Sequence, residues 1–315
     1  MRALHVPAAG EPPQLSDLPK PEPAEGTVLI KVKAAGLNPF DNSVASGMLS
    51  QMVPHEYPVV LGRDAAGVVE AVGPGVEHVA VGDEVIGHVL FAPPIHAGTL
   101  AEYAVVPAEA VFAKPADLDF VTAAALPVAG AAAVAAVEAI DPQPGQTVLI
   151  NGASGGVGSF AIQLVAARGA TVVATGTATD TDRLTDLGAT TVVDFTAGPV
   201  ARQVLDVHPD GVDALIDLVN YSPDGLPLDA VRKGGTVAST MNAADEAALN
   251  AAGLTGTNLM ANPIQDVLAP LANQAADGTL RVEVATVLPL DQATDGLATL
   301  ASGHAEGKIV ITVTD

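Results

Sequence analysis

The chain has 315 residues and no cysteine, which excludes disulfides, thiolate catalysis and any zinc site built on cysteine. Basic side chains are scarce: 13 Lys and Arg stand against 36 Asp and Glu, for a formal charge of -23. A field of that sign repels polyanions and excludes nucleic acid as a partner. The acidity comes more from missing bases than from abundant acids and reads as a solubility trait, so a bound phosphate has to be held by local donors. A charged fraction of 16% argues against an extreme salt-adapted source. The first residues, MRALHVPAAGEPP, lack the apolar centre of a signal peptide, and a cytoplasmic location is expected. The run Phe120 to Ile140 approaches a bilayer's thickness, but it is mostly Ala and is interrupted by Pro127 and Gly130. It is expected as a buried inter-domain helix, with no membrane partner. No internal repeat or low-complexity linker appears.

What is present centres on GQTVLINGASGGVGSFAIQ, residues 145–163. A β-branched strand, Thr147 to Ile150, stops at a cluster of small residues, and an amphipathic helical pattern follows at once. Ala153, Ser154, Gly155, Gly156, Val157 and Gly158 form an A-x-G-x-x-G variant of the dinucleotide fingerprint. Gly155 lets a pyrophosphate approach the backbone amides, and Gly158 lets the helix pack closely on the strand. Arg168-Gly169-Ala170 ends the helix and Thr171 to Thr175 reads as the next strand, completing a right-handed βαβ unit.

Strands and helices then alternate. A short helix near Arg183 to Leu187, a strand Thr191 to Phe195, a helix Val200 to Val207, a strand Asp213 to Val219, a helix near Leu226 to Val231 and a strand from Gly235 to Thr240 predict an α/β doubly wound parallel sheet. Asn258 to Leu280 reads as a strand and a helix closing that sheet. The first hundred residues are instead β-rich, with strands at Val28 to Leu37 and Ala65 to Gly73, a Gly-Asp turn followed by a strand within Val81 to Val89, and a further strand at Ala101 to Pro107. Pro and Gly punctuate them as in a partly open small barrel.

Gly145-Gln146, Leu149, Ala153 to Gly156, Gly158 and Gln163 resemble the signature of the zinc-independent quinone oxidoreductase, or zeta-crystallin-like, branch of the medium-chain dehydrogenase/reductase superfamily. The stretches AAGLNPFD, PVVLGRDAAGVVEAVGPGV, VGDEVIG, GTLAEYAVVPAEA and AAALPVAG extend the resemblance, in this order, over a GroES-like catalytic domain. The resemblance implies a Rossmann-type cofactor domain at 122–280 and a mostly β catalytic domain at 1–121 and 281–315, with the site in the cleft between them. It also implies a homodimer paired through the sheet edge near Asn258 to Ala261. The chain departs from the family pattern at Ala166, at Ala132 where relatives usually carry Thr, and at Glu306 in GHAEGK where arginine is common.

Zinc alcohol dehydrogenases of this superfamily hold their metal with a Cys and a His at positions that are Asn38 and Arg63 here, and neither suits zinc. His55, His78, His88 and His96 are scattered and are expected as solvent-facing or hydrogen-bonded loop imidazoles, so no metal is expected. His304 is expected in a surface loop. A nicotinamide hydride then goes to a carbon already activated by conjugation, as in a quinone or an enone. Asn38, Asp41 and Arg63 are the polar residues expected at the reaction site. Asn38 lies beside the nicotinamide in relatives, and Asp41 is placed equally well as a cap of the following helix.

The cofactor's phosphate preference is read after the second strand, where Gly176 and Thr177 stand in place of an acid. That favours NADPH over NADH. Asp180 and Asp182 oppose it unless they point away, and Arg183 is placed either on the extra phosphate or on those aspartates. Val219, Ser239 and Thr240, at strand ends where ligands of open sheets gather, complete the candidate cofactor residues. The expected function is an NADPH-dependent reductase of quinones or α,β-unsaturated carbonyls. The rivals are an enoyl reductase acting on a biosynthetic intermediate, with the acceptor chosen by loops 47–57 and 90–98, and a non-catalytic NADPH-binding sensor or crystallin-like protein.

Overall fold

A computed structural model describes residues 1–303 and 305–314, so the expectation for His304 lies outside the described residues. In chain order the elements are β1 (Arg2–Val6), β2 (Gln14–Asp17), β3 (Thr27–Gly36), α1 (Pro39–Ala45), β4 (Val59–Val60), β5 (Asp64–Val72), β6 (Glu84–His88), β7 (Tyr103–Pro107), β8 (Val111–Ala113), α2 (Phe120–Ala124) and α3 (Pro127–Ile140). There follow β9 (Thr147–Asn151), α4 (Gly156–Ala167), β10 (Thr171–Gly176), α5 (Thr181–Asp186), β11 (Thr191–Asp194), α6 (Val200–Val207), β12 (Val212–Asp217), β13 (Val231–Ser239), α7 (Glu246–Ala252) and β14 (Thr255–Asn258). The chain ends with α8 (Gln265–Ala276), β15 (Val284–Pro289), α9 (Ala293–Ala301) and β16 (Lys308–Thr312).

Two compact units result, one of residues 1–128 and 263–315, the other of residues 129–262. In the second unit the parallel strands run in the order β11-β10-β9-β12-β13-β14, the 3-2-1-4-5-6 order of a doubly wound Rossmann sheet. Its central strands are buried on both faces, as covered parallel strands must be, with Leu149, Val173, Leu215 and Val237 inaccessible to solvent. The order reverses beside β9, so the turn after β9 lies at the switch point where ligands of such sheets bind.

The first unit is mostly antiparallel, with a sheet ordered β15-β16-β3-β5-β6-β8 and β7 paired to β3. Its register sets Gly36 of β3 opposite Asp64 of β5, and Asp64 opposite His88 of β6. A second, small sheet is ordered β2-β1-β4. Val32, Leu37, Leu61, Leu100 and Ile311 fill the adjoining core.

Three expectations change. The helix read near Leu226 to Val231 is a single 3-10 turn, Leu228–Ala230, because β13 starts at Val231 and Pro223 and Pro227 crowd its approach. The run from Phe120 is two helices, since Pro127 opens a new one. No described helix is long and apolar enough to cross a membrane. The helix read as closing the cofactor sheet, α8, falls with the first unit, so the cofactor unit ends at 262, where the sequence boundary stood at 280.

Candidate functional site

The turn after β9 is built as an anion cradle. Gly152 sits at φ +86, with the Val219 methyl where a side chain would go. Its amide donates to Thr175 Oγ1 at 2.8 Å, which fixes the turn to β10. Gly155 is the N-cap of α4 and puts no side-chain cap on the helix. The first amides of α4 have no intrahelical acceptor and lie at the positive end of its dipole. A Cβ on Gly158 would stand 2.4 Å from the Gly152 carbonyl oxygen and 2.5 Å from Ala153 Cα, so only glycine lets α4 pack this closely. A Cβ on Gly155 would meet only the Gly152 carbonyl oxygen at 3.5 Å, with no other described atom within 4 Å. Such a cradle fits a pyrophosphate.

Around it the structure gathers most of the cofactor candidates of the second unit. Ala153 is buried and supports the turn, while Ser154, Gly156 and Val157 are partly accessible. Val219 is half exposed over Gly152. Gly176 ends β10, where a Cβ would strike Leu184 and Asp180. Both oxygens of the buried Asp180 carboxylate accept hydrogen bonds: Oδ2 from Thr177 N and Thr177 Oγ1, both at 2.8 Å, and Oδ1 from Arg183 at 2.6 Å. Burial pushes its pKa up, but those donors outweigh it and hold the carboxyl below its usual range. Arg183 also donates to the Ser154 carbonyl at 3.3 Å, which brings the guanidinium to the glycine turn, and Asp182 is exposed.

Ser239 and Thr240 end β13. The Ser239 hydroxyl oxygen is buried and accepts the Met241 and Ala243 amides, whereas Thr240 is partly accessible. Sequence reasoning missed the support beneath the turn, where Asn151 donates to Asp217 at 2.7 Å and Asp217 also accepts from Asn220 at 2.6 Å.

The second cluster belongs to the first unit. Asn38 caps α1 with Pro39 at its first position, and Asp41 reaches back so that its Oδ2 accepts the Asn38 amide at 2.8 Å. The Asn38 side chain is held at both ends. Nδ2 donates to Asp64 at 2.8 Å and Oδ1 accepts from Lys308 Nζ at 2.6 Å. Lys308 also donates to the Leu37 carbonyl at 2.7 Å and stands 3.7 Å from Asp64. Asp64, inaccessible to solvent, accepts from His88 Nδ1 at 2.8 Å and from the Val128 amide. Burial would raise the Asp64 pKa, but His88, Lys308 and Asn38 hold it low. Burial pulls Lys308 and His88 down, partly offset by Asp64.

His88 thus differs from the expected loop imidazole: it is 4% exposed and lies on a strand. His55 and His96 do bond loop carbonyls. Arg63 follows Gly62, whose φ of +92 and whose contact with Thr99 and Leu100 leave no room for a side chain. Its guanidinium is 4.9 Å from the Phe40 ring, and Phe40 meets Phe91 edge-on at 5.8 Å. Burial lowers the Arg63 pKa, with Asp41 and Asp64 acting the other way.

This donor set does not suit zinc. Among the described residues no group of three or more His, Asp or Glu is arranged to hold a metal ion. The positions that carry ligands in zinc enzymes hold a guanidinium and an amide that is already bonded to an ammonium. A dication there would meet the like charge of the Arg63 guanidinium and no free lone-pair donor from either position.

Two families match the chain, the alcohol dehydrogenase GroES-like domain over residues 24–116 and the zinc-binding dehydrogenase over residues 187–311. The chain is 30% identical to the zebrafish (Danio rerio) mitochondrial NAD(P)H oxidoreductase RTN4IP1, over 91% of this chain and 83% of that protein. It is 31% identical to the chloroplastic NADPH-dependent alkenal/one oxidoreductase of Arabidopsis thaliana, over 94% of this chain and 74% of the relative. The solved quinone oxidoreductase from Coxiella burnetii superposes with a TM-score of 0.89 at 30% identity, covering 100% of this chain and 99% of that one. Rossmann topology, glycine turn and GroES-like unit agree with these likenesses, and the chain belongs to the medium-chain dehydrogenase/reductase superfamily as a quinone oxidoreductase-like oxidoreductase.

Proposed function

We propose that this protein is a zinc-independent, NADPH-dependent reductase of quinones or α,β-unsaturated carbonyls. The observation that carries the reading is the Arg63 guanidinium, 6% exposed and with no hydrogen bond or ion pair among the described residues, at the position that holds a metal ligand in zinc enzymes. When bound, the dihydronicotinamide supplies a hydride. Arg63 then stabilises the negative charge that develops on the acceptor's oxygen. Asn38, pinned by Asp64 and Lys308, serves as a rigid wall beside it.

The α4 amides and Gly155 hold the pyrophosphate. Thr177 and Arg183 take the 2′-phosphate, and Asp180, with both oxygens engaged, is not free to bind a ribose hydroxyl. Relatives named as NADPH-dependent alkenal/one oxidoreductase and quinone oxidoreductase support this reading. We extend the proposal to a cytoplasmic homodimer joined along β14, the edge strand that lies at Thr255–Asn258 and not at the Asn258 to Ala261 expected from the sequence; its residues are all exposed and its outer edge pairs with no strand among the described residues.

Steady-state NADPH oxidation against a panel of simple quinones and enones tests the reaction, with metal content measured on the same sample. Turnover with either class and no stoichiometric zinc is expected. Tight NADPH binding with no oxidation by any acceptor would sink the reductase reading in favour of a sensor.

A further inference from the structure

Two electrons arriving as hydride turn a quinone or an enone into an oxyanion, and a neutral product also needs a proton. A hollow in the first unit brings together two groups that the fold leaves unsatisfied: it is lined by Phe40, Asp41, Gly62, Arg63, Ile95 and Ala97 among others. Asp41 is 1% exposed. Its Oδ2 caps the Asn38 amide, but its Oδ1 is buried and has no hydrogen-bond partner among the described residues. A buried carboxyl oxygen left unpaired is costly, and its persistence calls for an explanation outside the fold. Arg63, on the same wall, has guanidinium donors with no acceptor among the described residues and lies over Phe40.

The charged groups facing Asp41 are Asp64 and Arg63 at the head of β5 and Lys308 at the head of β16. From α9, packed against α1, the Leu297 carbonyl accepts a hydrogen bond from Asn42, the neighbour of Asp41. Burial, helped by Asp64, outweighs the Asn38 amide and the two cations, and pushes the Asp41 carboxyl up to about 7. The group therefore still holds its proton in a large fraction of molecules at neutral pH.

We propose that Asp41 delivers the proton of the reduction, from Oδ1 to the substrate oxygen whose charge Arg63 holds. This assignment rests on the reductase reading above. The carboxyl O–H bond breaks, a new O–H bond forms on the substrate, and water returns a proton to the carboxylate. The electron pair is the one brought by the hydride from the reduced nicotinamide. A quinone leaves as its hydroquinone. An enone leaves as an enol, which becomes the ketone in solution.

Asp41→Asn keeps an oxygen for the Asn38 amide but has no acidic proton, and Asp41→Glu keeps the acid. In the wild type, kcat is expected to fall as pH rises above about 7. In Asp41→Asn, kcat is expected to fall about 100-fold at low pH and to lose that limb, while calorimetry gives an NADPH affinity within about twofold of wild type. Asp41→Glu should retain the limb at a shifted position. Without any turnover, pH-difference infrared spectra should contain a carboxyl band that is absent in Asp41→Asn. Reduction of an α-methyl enone in heavy water should give deuterium at the α-carbon without stereochemical preference, since the enol ketonises off the protein.

An Asp41→Asn enzyme with wild-type kcat overturns the assignment. So does a slower enzyme with its pH limb intact, or a single α-epimer in the product. A wild-type protein that reduces no acceptor of either class defeats the reductase reading as well, an outcome distinct from an active enzyme indifferent to Asp41→Asn.

Discussion

Gly155 and Gly158 stand three residues apart in one turn, yet alanine should have opposite consequences at the two positions. At Gly155 the backbone lies at φ -80, which any residue adopts, and the added Cβ meets only the Gly152 carbonyl at 3.5 Å, an ordinary contact. The fold should tolerate it, with a stability change of about 0.5 kcal/mol or less, or a small gain from the stiffer unfolded chain. If the turn holds the pyrophosphate as proposed, the methyl projects into the space that group needs. Displacing the ligand from one or two amide donors forfeits roughly 1.5–3 kcal/mol, or about 10- to 150-fold in affinity.

At Gly158 the Cβ would overlap backbone atoms of Gly152 and Ala153 at 2.4 to 2.6 Å, and backbone cannot step aside as a side chain would. Gly158→Ala should cost about 1–3 kcal/mol of stability by forcing α4 off β9. Isothermal titration with NADPH and urea denaturation of both variants separate the effects. Wild-type NADPH affinity in Gly155→Ala would refute the claim that this turn carries the pyrophosphate, whatever the urea denaturation shows.

Arg183→Ala should weaken NADPH binding about tenfold or more while leaving NADH nearly unchanged, because only the former presents a 2′-phosphate to the guanidinium. An equal loss for both cofactors in parallel calorimetric titrations would reduce Arg183 to a partner of Asp180. Thr257→Lys places like charges across the proposed two-fold contact at β14 and should shift the protein to a monomer in sedimentation experiments at micromolar concentration. A wild-type protein that is already monomeric there rules out the edge-paired dimer.

The parallel sheet was legible because its strands are apolar on both faces and are separated by turn signals at regular intervals. Thr147–Asn151, Thr171–Gly176, Thr191–Asp194 and Val212–Asp217 fall within a residue or two of the runs that predicted them. The failures have local causes. In the segment after β12 the apolar pair Leu228 and Val231 mimics a helical spacing, but Pro223 and Pro227 restrict the residues before them and the chain reaches β13 through two 3-10 turns, Pro223–Gly225 and Leu228–Ala230. Helix α7 was overlooked although its signals are in the sequence, an Asp245 side chain accepting the Ala248 amide and Gly253 at φ +72. For α8 the sequence specifies which face is apolar, with Leu268, Leu271 and Ala272 buried. Amphipathic pattern does not say which of two cores a helix joins, and this one joins the first unit.

The first-unit cluster was half legible for a related reason. Asn38, Asp41 and Arg63 stand out because they replace or flank residues with a known task, whereas Lys308 looks like any surface lysine in GHAEGK. Its contacts span 270 residues, and no local pattern marks a lysine that the fold will bury at 4% exposure. Once placed, it changes the electrostatics of the whole cluster. Asp64 is neutralised by Lys308 and further held by His88 and Asn38, so its charge is largely spent inside the network. Asp41 keeps its proton up to about pH 7. What remains facing the hollow is the Arg63 guanidinium with no counter-ion within bonding distance among the described residues. A chain of formal charge -23 therefore presents positive charge here. Such a local sign is the one a reacting carbonyl needs as electrons flow toward its oxygen, and in this low-dielectric setting it acts far more strongly than the distant surface acids that set the net charge.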